Sequence, residues 1–355
     1  MKINRIRIGV GLALALVFSP GSSWAHHSVA GFFNPGELVE IEGVVTATLW
    51  RNTHTEFQVE VRASSGELTS WRVETGALGI LRARGLDREF LHVGDRVSIR
   101  GDKSLRDLPE VFARNLLLAD GKEVLLTTRS SPWFTRPDAG ELLEPVYDEE
   151  IERRARLDAE GIFRVWTTDL EEIPHSGVRM FHGDYPLTEA AEARRAAWDA
   201  GDSSLLECTE WNMPYIMYNP LPMEFVRQGD DILLRFEEDD NERLIHMNAD
   251  ADYGTNPDVH TLLGHSAGHW EDETLVVATM NMGANVLDFL GTPFSSAIHL
   301  VERFTPSADG RRLDYTLSVT DPQTFTEPFE VERFWIWRPE IAVSPYECGE
   351  AQSLD

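Results

Sequence analysis

Residues 312–337, RLDYTLSVTDPQTFTEPFEVERFWIW, contain the clearest pattern in the chain. Apolar and polar residues alternate over 312–320 and again over 328–337, and Asp321 and Pro322 separate the two runs. A period of two predicts β-strands with two chemically different faces. In the second strand Arg333 shares a face with Val331 and Trp335. The stretch therefore predicts two adjacent strands whose apolar face also carries charge.

The same alternation extends upstream through most of the C-terminal region. A new strand opens at 161–166, and after residue 222 short turn signals separate further segments at 225–227, 231–237, 243–248, 266–270, 274–280 and 296–304. About eight antiparallel strands joined by short loops favour an up-and-down barrel, which can enclose one small ligand. A β-sandwich is the alternative architecture.

The N-terminal region predicts a smaller β unit. Residues 37–126 contain five short alternating segments and one helical segment at 78–84. This composition of elements suggests a small Greek-key barrel such as an OB-fold. The sequence thus predicts an all-β, mainly antiparallel protein with an OB-like barrel followed by a larger one.

The two β units are separated by a segment without periodicity. Residues 127–146 are rich in serine, proline and glycine and predict a linker, and a charged helix follows at 148–159. A second helix is predicted at 188–200, with Thr188 as its N-cap. The predicted organisation is a signal peptide (1–25), an OB-like domain (26–126), a linker with a short helix (127–160) and a larger barrel domain (161–355).

The first 25 residues have the order of a secretory signal peptide. Basic residues precede an apolar run at 8–18, and small residues lead to a cleavage position after Ala25. The run is too short for a membrane anchor. We therefore expect a periplasmic or secreted protein with no membrane anchor after processing.

Charge and cysteine content limit the possible partners and the redox state. The net charge is −28, and removing Lys2, Arg5 and Arg7 with the signal peptide makes it −31. Such a chain repels phosphate backbones, so we expect no nucleic-acid partner. Cys208 and Cys348 are the two cysteines, and in an oxidising compartment we expect them to form a disulfide. A loop of roughly 140 residues would be stabilised by about 4–5 kcal/mol.

Three histidines form the predicted metal site. Cleavage after Ala25 would expose His26 as the first residue, with His27 beside it and His54 in a loop of the OB-like unit. A terminal amine with imidazoles is a set of nitrogen ligands that suits copper. Solvated terminal histidines and a turn-capping His54 are the alternative.

The larger barrel supplies the predicted small-molecule site. Its polar residues lie in or beside apolar strands, as expected for a cavity with a few convergent polar groups. The predicted catalytic residues are His265, His299 and Glu302, and the predicted ligand-binding residues are Arg243, His246, Asn281, Arg303, Arg333 and Trp335. Structural ion pairs and packed histidines are the alternative.

Two stretches also resemble known exported bacterial proteins. Ala25-His26-His27-Ser28, Trp50-Arg51-Asn52-Thr53-His54 and Leu91–Val97 resemble a family that carries A-H-H-S followed by W-x-N-P-H, with Thr53 here in place of proline. The similarity spans 25–126 and implies an exported OB-like module. Residues 161–348 resemble an exported lipocalin/calycin-like domain, through segments that include Gly264-His265-Ser266, Glu302-Arg303-Phe304 and the Gly161-x-Phe163 opening.

Neither resemblance implies an activity. From the residues we expect a protein that binds a small amphipathic molecule in the larger barrel and that could transform it by a lyase, isomerase or hydrolase step. The alternative function is a periplasmic copper-binding or assembly accessory protein. The sequence does not identify a protein partner.

Overall fold

The computed structural model describes residues 33–50, 52, 54–82, 86, 90–126, 131–135, 149–169, 180–181, 183–198, 211–248, 259–283, 286–288 and 290–346. The predicted signal peptide, His26, His27, Cys208 and Cys348 lie outside these residues. Within the described ranges, no helix combines the length and hydropathy that crossing a membrane requires.

The first sheet forms the OB-like unit. Its strands are β1 (Phe33–Leu49), β2 (Glu56–Arg62), β3 (Leu68–Glu74), β4 (Arg96–Ser104), β5 (Glu110–Leu118) and β6 (Glu123–Leu125). Strand β1 pairs with both β2 and β4, and β3 pairs in parallel with β5. The order β1-β2-β3-β5-β4 therefore returns to β1, so the five strands close into a small barrel, as the alternation predicts.

Close approaches of the backbone allow this small barrel to bend. The β1–β4 and β4–β5 ladders both contain register shifts, the second between Arg100 and Gly101. A Cβ atom on Gly101 would lie 2.1 Å from the carbonyl oxygen of Phe112. Glycine is required at this register shift because the neighbouring backbone occupies the space of a side chain.

Three short α-helices are described. Helix α1 (Leu78–Arg82) connects β3 to β4, and α2 (Glu149–Asp158) precedes the larger barrel. Helix α3 (Glu189–Ala196) begins where the sequence predicts, because the Thr188 side chain accepts a hydrogen bond from the amide of Ala191 at 3.3 Å.

The second sheet is a closed barrel of nine strands. They are β7 (Val165–Thr167), β8 (Met223–Gln228), β9 (Asp231–Phe236), β10 (Glu242–His246), β11 (His265–Glu271), β12 (Thr274–Met280), β13 (His299–Pro306), β14 (Arg312–Thr320) and β15 (Phe329–Trp337). The closed order is β10-β11-β12-β13-β14-β15-β7-β8-β9. The fold is thus all-β and mainly antiparallel, with one barrel following the other.

The barrel differs from the predicted up-and-down arrangement at one junction. Strands β10 and β11 pair in parallel, through Ile245 with Ser266 and His246 with Ala267. Parallel neighbours need a connection longer than a hairpin turn, and 18 residues separate His246 from His265 in the sequence. Short loops between neighbouring strands, as the turn signals predict, would give an antiparallel pair here instead.

Side chains fill the interior of the larger barrel. Trp166, Leu234, Phe304 and Leu317 are all completely buried and belong to one continuous apolar core. A gap beside Trp335 measures about 10 Å³, which is room for about one water molecule. This gap in the core is therefore too small to hold a ligand.

Candidate functional site

A buried ion pair lies on the inner side of the larger barrel, between β10 and β13. Glu302 and Arg243 are 0% and 2% exposed, and the guanidinium binds the carboxylate with both terminal nitrogens, one of them at 3.1 Å. Arg243 also donates to Ser266 at 2.9 Å and to Thr279 at 2.7 Å. The pair has the bidentate geometry that a buried Arg–carboxylate contact needs to offset its desolvation.

Tyr315 completes this network. Its hydroxyl donates to Glu302 at 3.0 Å, and burial followed by the nearby Glu302 charge raises the pKa of Tyr315 well above its usual value. Tyr315 therefore stays protonated and remains a donor. The two charges neutralise each other and most of their bonds are made within the network, so Glu302 is engaged in structural contacts.

Arg333 is the second buried arginine, and it holds a neighbouring turn in place. It donates to the carbonyl oxygens of Met217 and Asn219 and to the hydroxyl of Thr168, and its guanidinium lies 4.7 Å from the Trp335 ring. Burial lowers the pKa of Arg333 to about 9. Among the described residues no carboxylate lies within ion-pair distance of it, so carbonyl oxygens solvate this charge.

A space large enough for a small ligand lies in the barrel wall, beside the parallel β10–β11 pair. We call it the β10–β11 cleft; it has a volume of about 270 Å³ and is lined by Glu242, Arg243, Leu244, His246 and residues 261–266. The short ladder between β10 and β11 positions this opening, because only two residue pairs join the strands. Three of the predicted site residues therefore meet here: Arg243, His246 and His265.

An aspartate orients one histidine of the cleft. Asp231 Oδ2 lies 3.1 Å from His246 Nδ1, and Asp231 Oδ1 accepts the amide of Met247 at 3.0 Å. The Met247 amide lowers the pKa of the Asp231 carboxyl most, burial opposes it, and His246 lowers the pKa further, so that it lies below its usual value. An ionised Asp231 favours the tautomer with its proton on Nδ1, so that Nε2 of His246 carries the lone pair.

The second histidine of the cleft has an unsatisfied nitrogen. His265 Nε2 is buried and has no hydrogen-bond partner in the part of the chain that the structure describes. A buried nitrogen without a partner lacks the hydrogen bonds that water would offer, so a ligand that supplies one lowers the free energy. Nearby, Leu244 and Leu262 are 37% and 36% exposed, so the cleft combines apolar walls with imidazole nitrogens.

The remaining predicted residues are not brought into the cleft lining. His299 lies on the outer face of β13, opposite to the inward Glu302, since neighbouring residues of a strand alternate in direction. Arg303 also faces outward and pairs with Glu271 at 2.8 Å. Asn281 follows β12 with a φ of 57°, and its carbonyl accepts the amide of Thr261 at 3.2 Å, which anchors one rim of the cleft.

Three residues that matter here are not predicted from the sequence as site residues. The sequence predicts only that Asp231 lies in a strand after the Gln228-Gly229-Asp230 turn and that Thr279 and Tyr315 lie in strands. The signal that could have found Thr279 and Tyr315 is their position: each alternates in step with buried apolar neighbours. A polar group on such a face needs a partner.

Of the three histidines of the predicted metal site, His54 is the one that the structure describes. Its Nδ1 is hydrogen-bonded to Glu74, and its ring lies 6.2 Å from that of Phe112. Burial would raise the pKa of Glu74, but His54 and Arg72 outweigh it and the pKa lies below its usual value. Within the described ranges, no group of three or more metal-ligating side chains is assembled.

Comparison with known proteins gives a family match for the N-terminal part. Residues 15–107 match the model of a family of unknown function (DUF6152), a span that covers much of the OB-like unit. Among solved structures, the N-terminal domain of PriB protein from Thermoanaerobacter tencongensis is 23% identical, with 24% of this chain and 97% of that chain covered and a TM-score of 0.18. No curated protein is significantly similar to this sequence.

Proposed function

We propose that the protein binds a small, neutral amphipathic molecule in the β10–β11 cleft. The observation that carries this proposal is the unsatisfied His265 Nε2 in a cleft of about 270 Å³ with partly exposed leucines. A ligand would place a polar group against the imidazoles and an apolar part against Leu244 and Leu262. Because Glu302 neutralises Arg243 behind the cleft, we expect the cleft to bind a neutral molecule in preference to an anion.

Acid–base chemistry on the bound molecule is compatible with the same geometry. An Asp–His pair like Asp231 and His246 can accept and return a proton when a reacting group lies within hydrogen-bond distance. His246 is thus the residue of this cleft that best suits the lyase, isomerase or hydrolase step expected from the sequence. His265 would position the ligand.

Cyclohexanol and phenol are suitable neutral probes for this cleft. We expect both to shift the methyl NMR signals of Leu244, Leu262 and Leu263, and His265→Phe to weaken binding about 3–10-fold through the loss of one hydrogen bond. His269→Phe is the matched control, because His269 lies on the same strand and its side chain is 59% exposed. Unchanged affinity in His265→Phe, or leucine signals that do not respond to either probe, would rule the binding proposal out.

A second candidate function, copper binding at a processed N-terminus, has support in the OB-like unit. A carboxylate that fixes one nitrogen of a histidine is the usual second partner of a metal-ligating imidazole, and Glu74 provides it for His54. The Phe33 ring lies 5.8 Å from that of Phe112, which itself contacts His54. The six Cα–Cα steps from His27 to Phe33 can span up to about 20 Å, so the chain length allows His27 to reach His54.

Copper titration tests this candidate. We expect a protein that begins at His26 to bind Cu(II) at least tenfold more tightly than one with a single extra N-terminal residue, because only the first offers a terminal amine beside the His26 imidazole. His54→Phe should weaken binding as well and alter the EPR spectrum. Equal affinities for the three proteins would show that these histidines do not form one site.

A further inference from the structure

The C-terminal strap, which we define as residues 338–346, joins the two barrels. Asn52 of the OB-like unit donates to the Tyr346 carbonyl at 3.2 Å and accepts the amide of Leu78 at 2.9 Å. Ala77, Leu221 and Tyr346 form a small buried apolar cluster. The strap thus contacts α1 of one unit and the larger barrel of the other.

Two adjacent buried carboxylates hold the strap from the barrel side. Glu237 accepts the amide of Ser344 at 3.0 Å, and Glu238 accepts the Tyr346 hydroxyl and the side-chain amide of Asn219. The two glutamates are only 1% and 2% exposed. Two of the side chains that hold the strap at this corner are therefore buried carboxyl groups, which can carry a negative charge away from water.

The OB-like unit approaches one of these carboxylates directly. A Cβ atom on Gly79 would lie 2.6 Å from Glu237 Oε1, and this oxygen has no hydrogen-bond partner in the part of the structure that is described. A buried carboxylate oxygen without a donor is costly when it is ionised and much less so when it is protonated. Helix α1 therefore packs against this carboxylate oxygen, and the ionisation of Glu237 affects the stability of the contact between the two units.

We propose that Glu237 and Glu238 form a proton-controlled latch, in which protonation keeps the strap closed against both units and ionisation loosens it. This coupling is independent of what the β10–β11 cleft binds.

The surrounding charges support this role. For Glu237, burial raises the pKa most, Ser344 and Arg82 oppose it, and Asp240 adds to it, giving about 7. For Glu238, burial again raises the pKa most, Tyr346 and Asn219 oppose it, and Asp239 and Glu237 add to it, again giving about 7. Tyr215 is also buried; burial, and to a smaller extent nearby charges that include Glu238, raise the pKa of Tyr215, so it stays neutral.

The direction of the pH effect follows from linkage. In an open strap the carboxyls return to water and to their ordinary pKa of 4.5. Between pH 4.5 and 7 the closed form therefore holds protons that the open form has lost. Raising the pH through this window shifts the equilibrium towards the open form. Above pH 7 both forms are ionised and the effect levels off.

Hydrogen exchange of the full chain measures the latch. The amides of Leu78, Ser344 and Tyr346 bond to Asn52, Glu237 and Asp240, so they report strap opening. After correction for intrinsic exchange, we expect their protection to fall about tenfold or more from pH 5.5 to 8.5. In the Glu237→Gln/Glu238→Gln variant the change should be less than twofold, while Glu332→Gln, an exposed control, behaves as the parent.

Two results would overturn the proposal. The first is strap protection that does not depend on pH in the parent protein. The second is a pH dependence that persists in the double variant, which would assign the effect to another group. The protection of amides in β12–β14 shows whether a variant is folded. If the double variant lacks this protection, the single variants Glu237→Gln and Glu238→Gln replace it. Each single variant is expected to halve the pH response on a logarithmic scale.

Discussion

Replacing Glu302 with alanine is expected to destabilise the larger barrel by about 3–5 kcal/mol, because it leaves Arg243 charged, buried and without its counter-ion. Arg243 is 2% exposed, so its guanidinium is almost fully shielded from solvent. The Tyr315 hydroxyl also loses its acceptor. Urea unfolding at pH 7, followed by tryptophan fluorescence, measures the loss.

Two further variants separate charge from packing. Glu332→Ala removes an exposed carboxylate from β15 and should change stability by no more than about 0.5 kcal/mol. Arg243→Met/Glu302→Leu replaces the pair by apolar groups and should recover most of the stability. A loss below about 1 kcal/mol in Glu302→Ala would show that the pair is hydrated. A double variant as unstable as the single one would assign the loss to packing.

The faces of individual strands could be predicted from sequence. Alternation places Glu302 with Leu300 and Phe304 and separates it from His299 and Arg303, and the structure has the same division. It also places Arg333 inside with Val331 and Trp335. These assignments succeed because the direction of a side chain in a strand depends only on local backbone geometry.

The partners across the barrel could not be predicted in the same way. Arg243 and Glu302 are separated by 59 residues, and they meet only because β10, β11, β12 and β13 are neighbours in that order. This order depends on the parallel β10–β11 pair, which no local pattern encodes. The cleft lies at the same pair, so alternation could identify Arg243, His246 and His265 as polar strand residues but not as lining one space.

The amount of space inside the barrel was also beyond the sequence. Strand alternation shows which side chains point inward but not how completely they fill the interior. Here Trp166, Phe304, Tyr315 and Trp335 fill it, and together with the buried arginines they leave the gap of about 10 Å³ beside Trp335. The candidate site therefore lies in the barrel wall rather than in the interior, and of the predicted residues it includes Arg243, His246 and His265.

The second large effect is expected in the OB-like unit, where Gly101→Val should destabilise the small barrel by about 3 kcal/mol. Besides the Phe112 carbonyl oxygen at 2.1 Å, the new Cβ would meet Val111 Cγ2 at 2.7 Å. Backbone cannot yield as a flexible side chain does, so the β4–β5 ladder must separate at its register shift. Calorimetry of the full chain should show the transition of this unit at a lower temperature.

Ser98→Val is the matched control for this change, because it introduces the same side chain on the same strand. Ser98 is partly exposed on the outer face of β4, where a β-branched residue suits the strand. We expect its effect to stay within about 0.5 kcal/mol. If Gly101→Val were equally mild, the backbones of β4 and β5 could not lie as close together at Gly101 as the structure has them. If Ser98→Val were as damaging as Gly101→Val, the loss would come from valine anywhere on β4 rather than from the close approach at Gly101.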